Sequence, residues 1–275
     1  MVNKIIYLFL IILLSYGCSK KDPEISKPLE VEQSFEVYKE ALRLMNRGDL
    51  LFASRKFTEA ETIMPKIEQS SKAALMSSYC LYAINFYPEA IESLERFIKI
   101  YPADKNIPYA HYLLALSYYE QILDKSKDIK PLNISKEKIE FFLEKFPDTE
   151  YALDLKFKLD FIIDQLAAKE LYIAKYYINN QKWIPAINRL KIIVNNYDET
   201  IFIEEALHRL VEVYYNNGLE EEAKKTAAIL GYNYNSSEWY RNSYRLLNKE
   251  YKIPQTKEKK KDGKLIKGII QKLLK

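Results

Sequence analysis

YPEAIESLERFIKIYPADKNIPYAHYLLALSYY, residues 87–119, decides the fold. In its first half Tyr87, Ala90, Ile91, Leu94, Phe97, Ile98 and Tyr101 recur at three- and four-residue steps, while Glu89, Glu92, Glu95, Arg96 and Lys99 fall on the other side. That spacing predicts one amphipathic helix. Pro88 sits where a first helical turn tolerates a missing N–H, and Pro102 stops the helix behind Tyr101. A second helix starts near Pro108. Tyr109, Tyr112, Leu113, Leu116 and Tyr119 on one side and Ala110, Leu114 and Tyr118 on another leave it little polar face. Such a helix is covered on two sides, as the inner layer of a stack is.

The outline of that first helix returns along the chain. Gly48, Ala53, Phe57, Ala60 and Pro65 precede it, and Trp183, Ala186 and Leu190, then Gly218, Ala223 and Leu230, follow it. The turn glycine, the two small residues and the closing proline resemble the second half of a tetratricopeptide repeat, in which small residues let two helices cross closely. A less regular middle pair covers about Pro108–Ile122 and Ile134–Phe146, with the charged stretch 124–131 read as a loop between them. Residues 150–179 run without Gly or Pro for about eight turns, near 45 Å. The expected fold is therefore all-α: a tetratricopeptide-like helix-pair solenoid of about five repeats, in two blocks joined by a long helix. The blocks are 32–149 and 182–251, the linking helix is 150–181, and a closing helix is capped at Ser236 or Ser237.

Composition agrees. Gly is scarce and no run alternates as a strand bounded by hairpin signals does. The net charge of +4 lies in the tail 252–275, which holds nine lysines and ends in a short basic amphipathic stretch from Lys264. The body is close to neutral, so nucleic acid is not an expected partner.

At the start, Lys4, the apolar run Ile5–Leu14 and the small residues before Cys18 have the form of an export signal, residues 1–17. LSYGC resembles the lipobox of bacterial lipoproteins, in which the cysteine becomes the lipidated first residue. Ser19 in place of aspartate favours the outer membrane. Residues 18–31 read as a tether. Cys80 is then alone in the mature chain, inside a helical run, and reads as a buried small hydrophobe.

Enzyme chemistry finds no support. His111 and His208 stand apart with no HExxH pairing, no cysteine cluster accompanies them, and there is no Gly-rich phosphate loop or GxSxG. No catalytic residue, metal or cofactor is expected.

Taken together, the lipobox and tether, PEAIESLERFIKIYP at 88–102, PYAHYLLALSYY at 108–119, FPDTEYALDLKFKL at 146–159, LAAKELYIAKYYINNQKWIPAINRL at 166–190 and IEEALHRLVEVYY at 203–215 resemble the BamD family of outer-membrane assembly lipoproteins. The resemblance covers about Val31–Arg245. It implies a scaffold anchored in the outer membrane by lipid on Cys18 and facing the periplasm. Its implied partners are the barrel-forming assembly subunit, other accessory lipoproteins and unfolded outer-membrane β-barrel proteins. In a helix-pair stack the first helix of each pair lines the concave surface, which brings Phe35 and Tyr38, Tyr79 and Tyr82, and Tyr109, Tyr112 and Tyr119 forward as a groove for an extended aromatic-ended segment. Packing between repeats is the competing role for each. In the second block Trp239, Tyr240, Arg241, Arg245 and Arg189 have the residue types of interface centres. An adaptor for cell-envelope division or peptidoglycan, or a glycan-binding lipoprotein, remains an alternative.

Overall fold

The computed structural model describes residues 28–123 and 129–248. Cys18, the signal, most of the tether, the interior of the 124–131 stretch and the basic tail lie outside them. Every regular element among the described residues is helical. Helices α1 (Pro28–Asn46) and α2 (Leu50–Ile63), α3 (Ile67–Ala83) and α4 (Tyr87–Ile100), and α5 (Ile107–Glu120) and α6 (Lys130–Lys145) form three pairs. Helices α7 (Ala152–Asn179) with α8 (Trp183–Asn196) and α9 (Ile203–Asn216) with α10 (Glu220–Asn233) form two more, and α11 (Glu238–Leu247) follows. The described residues divide into two compact units, unit 1 up to Lys158 and unit 2 from Leu159, at a point inside α7.

Four of the five turns within pairs are one motif. After α1, Asp49 N–H bonds back to Leu44 O and Gly48 N–H to Met45 O; Phe86 and Asn85, Lys182 and Gln181, and Leu219 and Gly218 repeat this with the same offsets. This double bond satisfies the last carbonyls of a helix and demands a left-handed residue at the turn. Gly48, Asn85, Gln181 and Gly218 occupy that place, with φ of 86°, 63°, 56° and 76°. Five residues beyond each stands an alanine, Ala53, Ala90, Ala186 or Ala223, and all four are fully buried where the paired helices cross. The turn fixes the direction of the second helix, and the alanine fixes how closely it approaches the first.

The sequence pattern places α6 from Ile134, but it begins at Lys130. Pro131 lies in its first turn, where no N–H is missed, so the proline starts the helix and does not belong to the preceding loop. The 28-residue α7 is more than a link. In unit 2 its Leu171 and Ala174 pack with Leu190 and Ile193 of α8, so its second half is the first helix of the fourth pair. At the end of the chain Ser237 caps α11, its hydroxyl accepting from Tyr240 N–H at 3.0 Å.

Within unit 1, Ala41, Ala53, Phe57 and Cys80 form the core of the first pair against α3. Burial pushes the Cys80 thiol up to about 11, which makes it inert packing, in line with its reading as a small hydrophobe. Leu75, Leu94, Phe97, Leu113 and Leu114 form the next core, between α3, α4 and α5. In unit 2, Leu190, Ile193, Leu210 and Val211 fill the space between α7, α8 and α9, and Ile203, Leu207 and Leu230 the space under α11.

Candidate functional site

Two sets of side chains stand out, one in each unit. In unit 1 the first helices of the pairs carry tyrosines out of the core. Tyr79 of α3, 36% exposed, and Tyr109 of α5 line an open cavity of about 450 Å³ with Lys72, Leu75, Met76 and Asn106. Behind it the rings close up. Tyr109 lies 6.3 Å from Tyr112 and 5.6 Å from Tyr151, and Tyr112 stacks on Tyr151 at 4.6 Å. The Tyr112 hydroxyl donates to Asp154 Oδ2 at 3.0 Å, while Lys158 Nζ donates to Asp154 Oδ1 at 2.7 Å and stands 5.4 Å above the Tyr119 ring. Tyr82 lies 5.9 Å from Tyr87.

Burial raises Tyr82, Tyr109, Tyr112 and Tyr119 above the ordinary tyrosine range, so these phenols stay neutral into alkaline pH. Tyr82 is pushed up to about 12, first by burial and then by the carboxylate of Glu120 and its neighbours. Tyr109 and Tyr119 are raised by burial, and Tyr112 by burial and its bond to Asp154. A neutral phenol offers a flat apolar face, a donor and an acceptor together, which suits an extended peptide whose backbone needs both.

Five of the seven expected groove residues, Tyr79, Tyr82, Tyr109, Tyr112 and Tyr119, thus belong to α3 and α5. Tyr112 is also spoken for by packing, through Tyr151 and Asp154. Tyr38 packs edge-on to Phe57 at 5.3 Å within the first pair, with Lys72 Nζ 6.0 Å from its ring. Phe35 is 38% exposed on α1, and among the described residues no contact ties it to the α5 cluster. Tyr87, Tyr151 and Asp154 were not expected here. Tyr151 and Asp154 flank the first turn of α7, which comes back to α5 from 42 residues away.

In unit 2, Trp239 and Tyr240 pack on Ile203, Leu207 and Leu230 and so fasten α11. The Trp239 ring lies 5.2 Å from that of His208 and 5.7 Å from the Arg209 guanidinium. Tyr240 lies 4.5 Å from Tyr244 and presses on Gly231, where a Cβ would stand 2.6 Å from Tyr240 Cε2. Trp239, Asn242, Arg245 and Leu246 line an open cavity of about 450 Å³ with His208, Arg209 and Glu212. Arg209 is held by Glu212 and Glu205, whereas no carboxylate reaches Arg245 among the described residues. Arg241 caps locally, donating to Ser236 O at 3.1 Å. Arg189 is on α8, its guanidinium taken by Glu170 of α7 at 3.0 and 3.2 Å. The structure therefore brings Trp239 and Arg245 to one cavity and gives Tyr240 to packing. Sequence reading missed His208, buried with its Nδ1 2.8 Å from Ser243 Oγ; two separate polar residues on two helices carry no signal of pairing.

A family model described as an outer membrane lipoprotein, YfiO, matches residues 31–230. The chain is 39% identical over 249 residues to the outer membrane protein assembly factor BamD of Rickettsia prowazekii (strain Madrid E), covering 90% of this chain and 97% of that protein. It is 38% identical to the BamD of Caulobacter vibrioides over 84% of this chain and 76% of that one. With the BamD of Neisseria meningitidis serogroup A it shares 26% over 80% of this chain and 85% of the relative. The chain belongs to the YfiO family of outer membrane lipoproteins, together with these BamD assembly factors.

Proposed function

We propose that the chain is a non-enzymatic scaffold of outer-membrane protein assembly, anchored by lipid on Cys18 and facing the periplasm. Unit 1 receives unfolded segments of outer-membrane β-barrel proteins. Unit 2 docks on the periplasmic domains of a barrel-forming subunit, with other accessory lipoproteins in the same assembly. The observation that carries the reading is the open cavity between Tyr79 and Tyr109, backed by stacked neutral tyrosines. It offers ring faces to aromatic side chains and hydroxyls to a peptide backbone at little loss of side-chain entropy. On unit 2 the guanidinium of Arg245, with no carboxylate in reach among the described residues, shares a cavity with the Trp239 ring and has the character of an interface anchor.

A mild-detergent pull-down of the tagged mature chain from its own membranes tests the partners. Recovery of a large β-barrel protein with periplasmic domains supports the reading; recovery of division or peptidoglycan proteins without that barrel overturns it. Binding of an aromatic-ended β-strand peptide, reduced by Tyr79→Ala, tests the groove.

A further inference from the structure

One edge of unit 1 belongs to neither of these faces. Each pair is an antiparallel hairpin, so the ends of α2 and α4 and the starts of α1, α3 and α5 lie along that edge. The connection from α2 to α3 reads Ile63-Met64-Pro65-Lys66-Ile67, and the next one begins Ile100-Tyr101-Pro102-Ala103. Ile63, Ile67 and Ile100 are 42%, 70% and 48% exposed. The two connections stand side by side, with Ile67, Ile100, Tyr101, Pro102 and Ala103 lining one cleft of about 270 Å³ together with Glu68, Ser71 and Asp104. At the opposite edge the first turn is polar, Asn46-Arg47-Gly48-Asp49, while the second, at Asn85-Phe86, leaves one large apolar side chain 42% exposed.

The start of α1, the described end nearest Cys18 in sequence, is on the apolar side. Helix α1 has 19 residues against 14 in α2, so its first turn overshoots the isoleucine edge by roughly 7 Å. Pro28, where α1 begins, is ten residues after Cys18, a reach of at most about 35 Å. Among the described residues no helix is long and apolar enough to cross a membrane, so contact with lipid is a surface contact.

We infer that this edge is a bilayer-contact surface: Ile63, Ile67 and Ile100 enter the headgroup region of the leaflet that holds the lipid on Cys18. The inference rests on the lipid-anchor reading. Anchoring makes the contact intramolecular, so a few shallow isoleucines suffice to populate it. Charge contributes little. At the two connections Lys66 and Lys105 are balanced by Glu68 and Asp104, with Asp104 already bonded to the Ser71 hydroxyl and to Asn106, and the start of α1 adds the exposed Glu32. Apolar insertion with a balanced charge is insensitive to salt.

The test uses full-length mature chains with one added thiol at Lys66→Cys, Ala103→Cys or, on the opposite edge, Asp49→Cys. Each carries an environment-sensitive fluorophore and is reconstituted in phosphatidylethanolamine–phosphatidylglycerol vesicles with brominated acyl chains. Cys80 is buried and poorly ionised, so the label goes to the added thiol. Mass analysis of the Cys18 peptide comes first; absence of lipid mass overturns the anchor reading itself, and the inference falls with it. In the lipidated chain we expect a blue shift and severalfold quenching at 66 and 103, none at 49, the same at low and high salt, and loss of both signals with Ile67→Asn and Ile100→Asn. Equal quenching at all three sites, or none at 66 and 103, overturns the inference. So does shielding of 66 by a purified protein partner without any bromine quenching in vesicles.

Discussion

Arg96 donates from Nη1 and Nη2 to the two carboxylate oxygens of Glu61, 35 residues earlier in the neighbouring pair, at 2.7 and 2.5 Å. The Glu61 side chain is buried and also accepts from the Tyr101 hydroxyl at 3.0 Å. The pair therefore clamps α2 to α4. Removing the cation strands a carboxylate away from water, which costs about 3 kcal/mol. Arg96→Ala should lower the unfolding free energy by that amount, read from the urea midpoint at unchanged slope, and Glu61→Leu with Arg96→Met should recover much of it. Equal stability of Arg96→Ala and wild type would show that the clamp contributes nothing.

At the turns, Gln181 holds a left-handed backbone that glycine adopts freely. The strain in a residue with a Cβ is about 1 kcal/mol. Gln181→Gly should raise stability by up to about that amount, and Gly48→Ala, at φ 86°, should lower it by about 1 kcal/mol or more. Thermal melts of the two variants check the pair of signs. The sequence reveals the turns at Gly48 and Gly218 because glycine announces its own conformation. At Asn85 and Gln181 the backbone is the same and the residue is silent, so only the buried alanine five positions on marks the repeat. Four of the five pairs were readable from that alanine and its flanking apolar residues; the middle pair, without it, was the less regular one. The second role of α7 was not, because a helix that is apolar on several faces does not say which neighbour each face meets.

Gly231 sets two effects against each other. An alanine in place of a helical glycine ordinarily gains up to about 1 kcal/mol, but here, in the last turn of α10, its Cβ would stand 2.6 Å from the Tyr240 ring. Displacing a packed ring costs typically about 1–3 kcal/mol, so the clash should win. Gly231→Ala should loosen α11 first, seen as faster amide exchange across 238–247 with unit 1 unchanged. Slower exchange there would mean that the ring moves aside freely.

The groove separates two tyrosines that look alike in sequence. Tyr79 faces the open cavity, whereas Tyr112 is stacked on Tyr151 and bonded to Asp154. Tyr79→Ala should weaken an aromatic-ended peptide about fivefold with little change in melting temperature. Tyr112→Ala should cost about 3 kcal/mol of stability and lower the melting temperature accordingly. If Tyr79→Ala binds like wild type, the cavity is not the peptide site. Helical periodicity places both tyrosines on the inner helices. It cannot show that α7 returns to cover one of them.

High pH should act on the same rings. Tyr82 and Tyr101 are pushed up to about 12, Tyr101 first by burial and then by its bond to Glu61. A free tyrosine loses its proton near 10. Between about pH 10 and 12 the unfolded chain has therefore released protons that the folded chain still holds, and rising pH favours unfolding. The stability these phenols contribute is complete below pH 10 and lost as pH climbs through 12. Absorbance of tyrosinate should show these rings titrating late, with the unfolding midpoint in urea constant up to about pH 10 and falling above it. Tyr101→Phe, which has no proton to lose, should shallow that fall. A common titration of every tyrosine near 10, with the fold intact, would mean that the inner rings are open to water and that neither the Glu61 clamp nor the tyrosine cluster is as dry as its geometry requires.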